Sequence, residues 1–330
     1  MTELLPIDES HPAAPETIKA ETVEEAARLA EVRLTEILSK RFGPESDNPL
    51  DYHNPGHSIA VADDTEALLK IIRDLDANLV SGEDLILGRL EGLAHDLKQA
   101  ADIENGFRKR RRGENEENSA KELFLELTKY RNGKGDSVFT ALNELESLIE
   151  EDILVTLPDI KMEALADGTQ GLKASQPKLL PQSSLRAWAL ATADLRGTFL
   201  KGRDTEAFRQ GGDAEFRELF PGIREELKGG VENIEASRRR EIAAKILNWK
   251  RDQIGFAKWQ EVLFNESLES NAVIGGRRDI REALSIRFDF ARSIKAAEEH
   301  YEDLESRYGF LRDSGGDAEA LRELAAAIGY

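Results

Sequence analysis

Apolar residues return at helical spacing along most of this 330-residue chain, and no stretch shows the period-two alternation of a half-buried strand. Between Glu21 and Phe42 the apolar positions are Val23, Ala27, Ala30, Leu34, Ile37 and Leu38, and Gly43-Pro44 ends the run. The spacing predicts further helices over 57–75, from an N-cap at Ser81 to His95-Asp96, and over about 116–131, 136–155, 183–200, 213–228, 234–268 and 278–307. The 213–228 helix is expected to kink or break at Pro221, and a short Ala/Leu-rich helix closes the chain. Ala, Leu, Glu, Arg and Lys dominate, and these are strong helix formers. The fold expected is therefore all-α.

Residues 1–18, with three prolines and no period, are expected to form a flexible tail. Residues 19–268 are read as the main domain and 269–330 as a C-terminal helical extension. The segment 99–114 reads as a polar, basic loop, and 158–181 as either a lid or a long connection. The charged, apolar-striped helix at 278–307 is a packing or partner face, and a homodimer through it is possible.

The formal net charge is -19, which repels polyanions and argues against nucleic-acid or anionic-membrane binding. It leaves room for a small phosphate substrate, because a metal ion can invert the field inside one cleft. With no cysteine, thiolate nucleophiles and Cys-based metal sites are excluded. No run approaches the roughly 18 apolar residues of a membrane span, and no secretory signal is visible, so a cytoplasmic protein is expected.

Five histidines are present, and three of them, His53, His57 and His95, stand beside turn signals or carboxylates. His95-Asp96 ends an apolar helix, where a polar pair is costly to bury unless it is satisfied. Asp194 follows the apolar run Leu185 to Ala193 and wants a partner in the same way. His57, His95, Asp96 and Asp194 together offer two nitrogens and two carboxylates, a set that suits a divalent ion with positions left open to water. The competing reading of each His alone is a satisfied core residue.

The order His57, His95-Asp96, Asp194 resembles the HD superfamily of metal-dependent phosphohydrolases, which are all-helical bundles. The string Tyr52-His53-Asn54-Pro55-Gly56-His57 resembles the Tyr-His-Asn-x-x-His that precedes Ala-His-Asp in cyclic-nucleotide phosphodiesterase catalytic domains. Asn115-Glu116-Glu117-Asn118-Ser119-Ala120 and the stretch Phe220 to Glu226 are similar to segments of bacterial HD phosphohydrolases. The resemblance spans roughly residues 20–265. It implies that His57, His95, Asp96 and Asp194 are metal ligands, that His53 protonates the leaving oxygen, and that Glu116 supports the activated water or its ligands. For Glu116 and Asn115 a plain helix-start role competes, with Asn115 as N-cap. Tyr52 is read as a packing aromatic. One departure is Gln99, where phosphodiesterases have a further His and other branches a Lys. One ion per site is therefore expected, or a second held only by carboxylate and water, with the identity open among Mn, Mg, Fe, Co and Zn.

The function this implies is hydrolysis of a small phosphate ester, with a nucleotide or cyclic nucleotide-like ester favoured, by a metal-activated water. The alternative is a non-catalytic module that binds metal or nucleotide; a lyase or oxygenase would need more ligands than the chain offers. Lys98 and Arg196, each two residues after a ligand aspartate, are candidates to offset phosphoryl charge, Lys98 as a catalytic cation and Arg196 as a substrate contact. Arg110, in the basic run Arg108 to Arg112, is a candidate phosphate contact, with simple solvation of that run as its rival.

Overall fold

The structure is a computed structural model that describes residues 16–139, 142–166, 168–204, 206–314 and 316–330. It is mostly helical. The first helix, α1 (Val23–Phe42), starts where the Thr22 hydroxyl accepts the Glu25 amide and stops at Gly43. In α2 (Pro55–Leu75) the Asn54 side chain accepts the His57 amide and Pro55 takes the first turn, where its missing N–H costs nothing. The third, α3 (Gly82–Ala94), opens on a reciprocal capping box between Ser81 and Asp84. Next come α4 (Glu114–Leu127), α5 (Leu142–Leu154) and α6 (Leu185–Arg196). The break at Pro221 separates α7 (Ala207–Leu219) from α8 (Pro221–Lys228). Then α9 (Ala236–Ser270) runs for 35 residues. Last are α10 (Arg278–Ser285), α11 (Phe290–Tyr308), α12 (Leu311–Ser314) and α13 (Ala318–Ala327). The single helix expected over 278–307 is thus two, parted at Ile286 to Asp289.

Three two-stranded ribbons correct the expectation of a strand-free chain. β1 (Ile18–Lys19) lies parallel to β4 (Tyr130–Arg131). This pairing, with the Glu16–Arg33 ion pair at 2.7 Å, ties down the end of the expected tail, whose first 15 residues lie outside the described set. Residues 140 and 141, inside the helix expected at 136–155, also lie outside it; Ser137 bridges to Arg131, so the helix begins later. β2 (Ala101–Glu104) and β3 (Phe107–Arg110) form a hairpin across Asn105-Gly106, both at positive φ. That dipeptide is a hairpin signal hidden among charged residues. β5 (Asp159–Ala164) and β6 (Gln170–Ser175) form a second hairpin inside the 158–181 segment, which is therefore neither a bare connection nor a helix.

The core has three main apolar clusters. One joins α1, α3, α4 and α5 with part of α2 and α6; a second joins α2, α6, α9, α10 and α11; a third joins α7, α8, α9 and α11 to α13. Every residue from Arg186 to Ala193 is buried, so α6 runs through the middle of the fold. The segment 269–330 supplies Ile274, Ile280, Leu284, Phe288 and Phe290 to the same cluster as Leu68 and Trp188.

Two glycine contacts set how closely elements meet. A Cβ on Gly92 of α3 would stand 2.7 Å from the Ala62 Cα, so α2 and α3 touch backbone to backbone there. A Cβ on Gly255 of α9 would stand 2.5 Å from the Gly171 Cα, which docks the β5–β6 hairpin on α9. Gly255→Ala is expected to lift that hairpin, costing about 1–3 kcal/mol of stability by urea unfolding and opening residues 159–175 to limited proteolysis. Unchanged protection of the hairpin would contradict the docking argument.

One buried guanidinium faces three carboxylates. Arg186 lies 2.9 Å from Asp152, 3.1 Å from Asp84 and 3.4 Å from Glu91, whose oxygens are fully buried with no hydrogen bond among the described residues. Burial raises Glu91 to about 8 from an ordinary 4.5 despite Arg186. The folded chain thus keeps a proton that the unfolded chain releases, so stability falls as pH climbs from 4.5 through about 8. Glu91→Gln, which mimics the protonated acid, should flatten that decline in urea unfolding. A decline as steep as in the wild type would contradict this reading.

Candidate metal centre

Three helices deliver the candidate ligands. His57 sits in the first turn of α2, His95 caps the end of α3 with Asp96 next to it, and Asp194 lies in the last turn of α6. The backbone contact at Gly92 brings the first two together: the rings of His57 and His95 stand 5.3 Å apart. His57 Nε2 is 3.5 Å from Asp96 Oδ2 and 3.4 Å from Asp194 Oδ1. His95 Nε2 is 3.1 Å from Asp96 Oδ2 and 3.5 Å from Asp194 Oδ1.

His57 Nε2, His95 Nε2 and Asp96 Oδ2 are all buried with no hydrogen-bond partner among the described residues. Leaving even one such atom unsatisfied costs on the order of 1–3 kcal/mol. The imidazole–carboxylate spacings of 3.1 and 3.5 Å are close to the roughly 3.0–3.4 Å between donors around one divalent ion with bonds near 2.1 Å. His57, His95 and Asp96 form a group able to hold a metal ion, and Asp194 Oδ1 reaches both histidines of that group.

The surrounding bonds orient these donors. His95 Nδ1 donates to the Gly92 carbonyl at 2.7 Å, which makes Nε2 the nitrogen that faces the carboxylates and gives up its proton to an ion. Gln99 Nε2 donates to Asp96 Oδ1 at 2.5 Å, which turns Oδ2 toward the histidines. Burial alone would discharge these groups, but Asp96 and Asp194 hold the His95 imidazole well above its usual range. Burial likewise opposes charge on Asp96, and His95, His53 and Arg110 outweigh it to hold the carboxyl well below its usual range.

Next to the ligands lies a cavity of about 300 Å³. Its polar edge carries His53, Arg110, Arg112, Glu116 and Glu215; its apolar wall includes Ile160 and Leu172 of the β5–β6 hairpin and Trp249 and Phe256 of α9. A larger groove of about 1180 Å³, lined by Pro44, Leu50, Arg224 and Tyr330 among others, holds none of the four candidate ligands. Tyr52 packs its ring 4.6 Å from that of His57 and also lines the smaller cavity.

His53 is held from both sides. Its Nδ1 lies 2.7 Å from Glu218 Oε1, and Arg110 Nη1 donates to its Nε2 at 2.7 Å. A guanidinium has donors only, so Nδ1 carries the proton that meets Glu218. Glu218 also accepts the backbone amides of Tyr52 and His53 and a bond from Arg108, and is held at about 2 because His53 and Arg108 outweigh its burial. Glu116 caps the Gly113 amide at 2.6 Å, and its other oxygen stands 3.8 Å from Arg110. Gly113 is the N-cap of α4, and Asn115, expected in that place, instead brackets the Ala100 backbone.

Two candidates fall away. Lys98 is half-exposed and pairs with Glu122 at 2.8 Å, clear of the cavity lining. Arg196 is 2% exposed and bonded to Gln176 and the Ala191 carbonyl. Two positions along a helix turn the side chain about 200°, so the turn that aims Asp194 at the site aims Arg196 away. Within β3, alternation turns Arg108 to Glu218 and Arg110 to the cavity while Lys109 pairs outward with Glu104; just past the strand Arg111 pairs outward with Asp102 and Arg112 lines the cavity. Sequence reading missed Glu215 and Glu218, which lie in α7 among ordinary surface charges with no local signal to separate them. Burial pushes Glu215 above its usual value.

Comparison with protein-family models, curated proteins and solved structures finds no match to this chain.

Because His95 is held protonated well above its usual range, an entering ion must displace that proton. Metal binding near neutral pH should release about one proton per ion, and affinity should rise about tenfold per pH unit there. Calorimetry in buffers of different ionisation enthalpy measures this; proton-neutral binding would show that His95 is not a ligand.

Proposed function

We propose that this chain is a metal-dependent phosphoester hydrolase of the HD type, acting on a nucleotide or another small phosphate ester. The observation that carries the reading is the set of buried, partnerless donor atoms on His57, His95 and Asp96, opening beside a cavity with basic groups at its edge. His57, His95, Asp96 and Asp194 would hold the ion. A divalent ion held there would supply Lewis acidity toward a water and a phosphoryl oxygen.

The chain's own residues supply the rest. The cavity size suits a small molecule rather than a polymer, and its apolar wall suits an organic group beside the phosphate. Arg110 and Arg112 offer guanidinium donors to phosphoryl oxygens. His53 lines the cavity, and where the substrate draws Arg110 off the His53 Nε2 and that nitrogen takes up a proton, the ring hands it to the departing oxygen. Glu218 keeps the ring oriented through Nδ1 and balances its charge when both nitrogens carry protons. A His so supported and aimed into the cavity favours catalysis over a purely binding module.

Metal-stripped protein with Mn²⁺, Mg²⁺, Co²⁺, Zn²⁺ or Fe²⁺ returned should hydrolyse bis(p-nitrophenyl) phosphate or p-nitrophenyl phosphate, and Asp96→Ala should abolish turnover. Failure of both esters and of a nucleotide panel, with metal still bound, would favour the binding module. His53→Gln should lower kcat about 10²-fold on an alkyl ester, whose alkoxide needs a proton. The loss should be smaller for p-nitrophenolate, which leaves unaided; equal losses on the two would rule out the general-acid role.

A further inference from the structure

We propose that the guanidinium of Arg110 occupies the position of a second cation, so that the centre runs on one metal ion and one fixed organic cation. The inference rests on the reading of His57, His95, Asp96 and Asp194 as the ligands of a single ion.

Arg110 ends β3 and reaches acceptors on three separate segments. Its Nη1 is 2.7 Å from His53 Nε2, in the loop before α2. Its Nη2 is 3.5 Å from Asp96 Oδ1, just past α3, and 3.8 Å from Glu116 Oε1, in the first turn of α4. An imidazole nitrogen and carboxylate oxygens are donors that a divalent ion takes, and here they border one guanidinium at 2.7, 3.5 and 3.8 Å.

Asp96 is divided between the two positions. Its Oδ2 faces His57 and His95, while its Oδ1 faces Arg110 and the Gln99 amide. Paired-ion centres share a carboxylate in this way to clamp the attacking and leaving oxygens between two positive charges. Arg110 supplies the second charge permanently, since a guanidinium neither deprotonates nor dissociates. Its Nε is buried with no hydrogen-bond partner among the described residues. Arg108 already balances Glu218, which leaves Arg110 to answer the charge of Asp96 and Glu116. Strand alternation delivers it: Arg108 and Arg110 point to the same side of β3.

The test counts Mn²⁺ per full-length chain by equilibrium dialysis, with electron paramagnetic resonance to detect a coupled Mn²⁺ pair. The wild type should hold about one ion, and Arg110→Lys, which keeps a positive charge there, should also hold about one. Arg110→Met keeps the stem but removes the charge, freeing His53 Nε2, Asp96 Oδ1 and Glu116. It should hold about two ions and give the coupled-pair spectrum. Should Arg110→Met fail to fold, Arg110→Gln is read by the same count. A second ion on the wild type or on Arg110→Lys overturns the proposal, and so does a single ion on the neutral variant. No ion on the wild type overturns the ligand set itself, and this proposal with it. A single ion on all three proteins overturns only the role of Arg110.

Discussion

Everything at the candidate centre depends on how closely α2 and α3 cross. At Gly92 no side chain stands between the two backbones, and the Ala62 Cα fills the space a Cβ would take. A larger residue there would push the helices apart by an ångström or more. The 3.5 Å spacing between His57 of α2 and Asp96 just past α3 would then stretch beyond what one ion can span. The same glycine's carbonyl holds His95 Nδ1, so one residue sets both the helix distance and the tautomer. The third helix of the site, α6, is buried along eight consecutive residues and has no freedom to compensate.

Around that contact the chain solves an electrostatic problem. It carries a net charge of -19, and its cavity edge gathers Asp96, Glu116, Asp194 and Glu215. Such a place repels phosphate unless cations are brought to it. The β2–β3 hairpin does so by periodicity: one face of β3 presents Arg108 and Arg110 inward and the other sends Lys109 to a surface carboxylate, and Arg112 just past the strand joins the cavity lining. A basic run that looks like solvated loop in one dimension becomes two functions in three.

The helices and the four donors were legible because each has a local chemical signature. Asn54-Pro55 and Ser81 with Asp84 announce helix starts, and a His or Asp ending an apolar run asks for a partner. The hairpins were hidden because their strands are four or six residues long and rich in charge, so stripe patterns had nothing to act on. Glu218 could not be read at all, since its role comes from a contact 165 residues away with His53. Lys98 and Arg196 misled because closeness to an aspartate in sequence ignores the angle between successive side chains.

The long α9 helix carries one more implication. Its 35 residues extend about 52 Å. Its first half is packed in the third core cluster and its second half in the second, while Trp249, Gln253 and Phe256 between them line the cavity. Mechanically this is a beam supported near both ends with the cavity wall at mid-span. Packing around Leu268 and Ile242 at its two ends therefore bears on the breadth of the cavity. Drift in those remote apolar positions over evolutionary time would retune which molecules fit, with every residue that touches them unchanged.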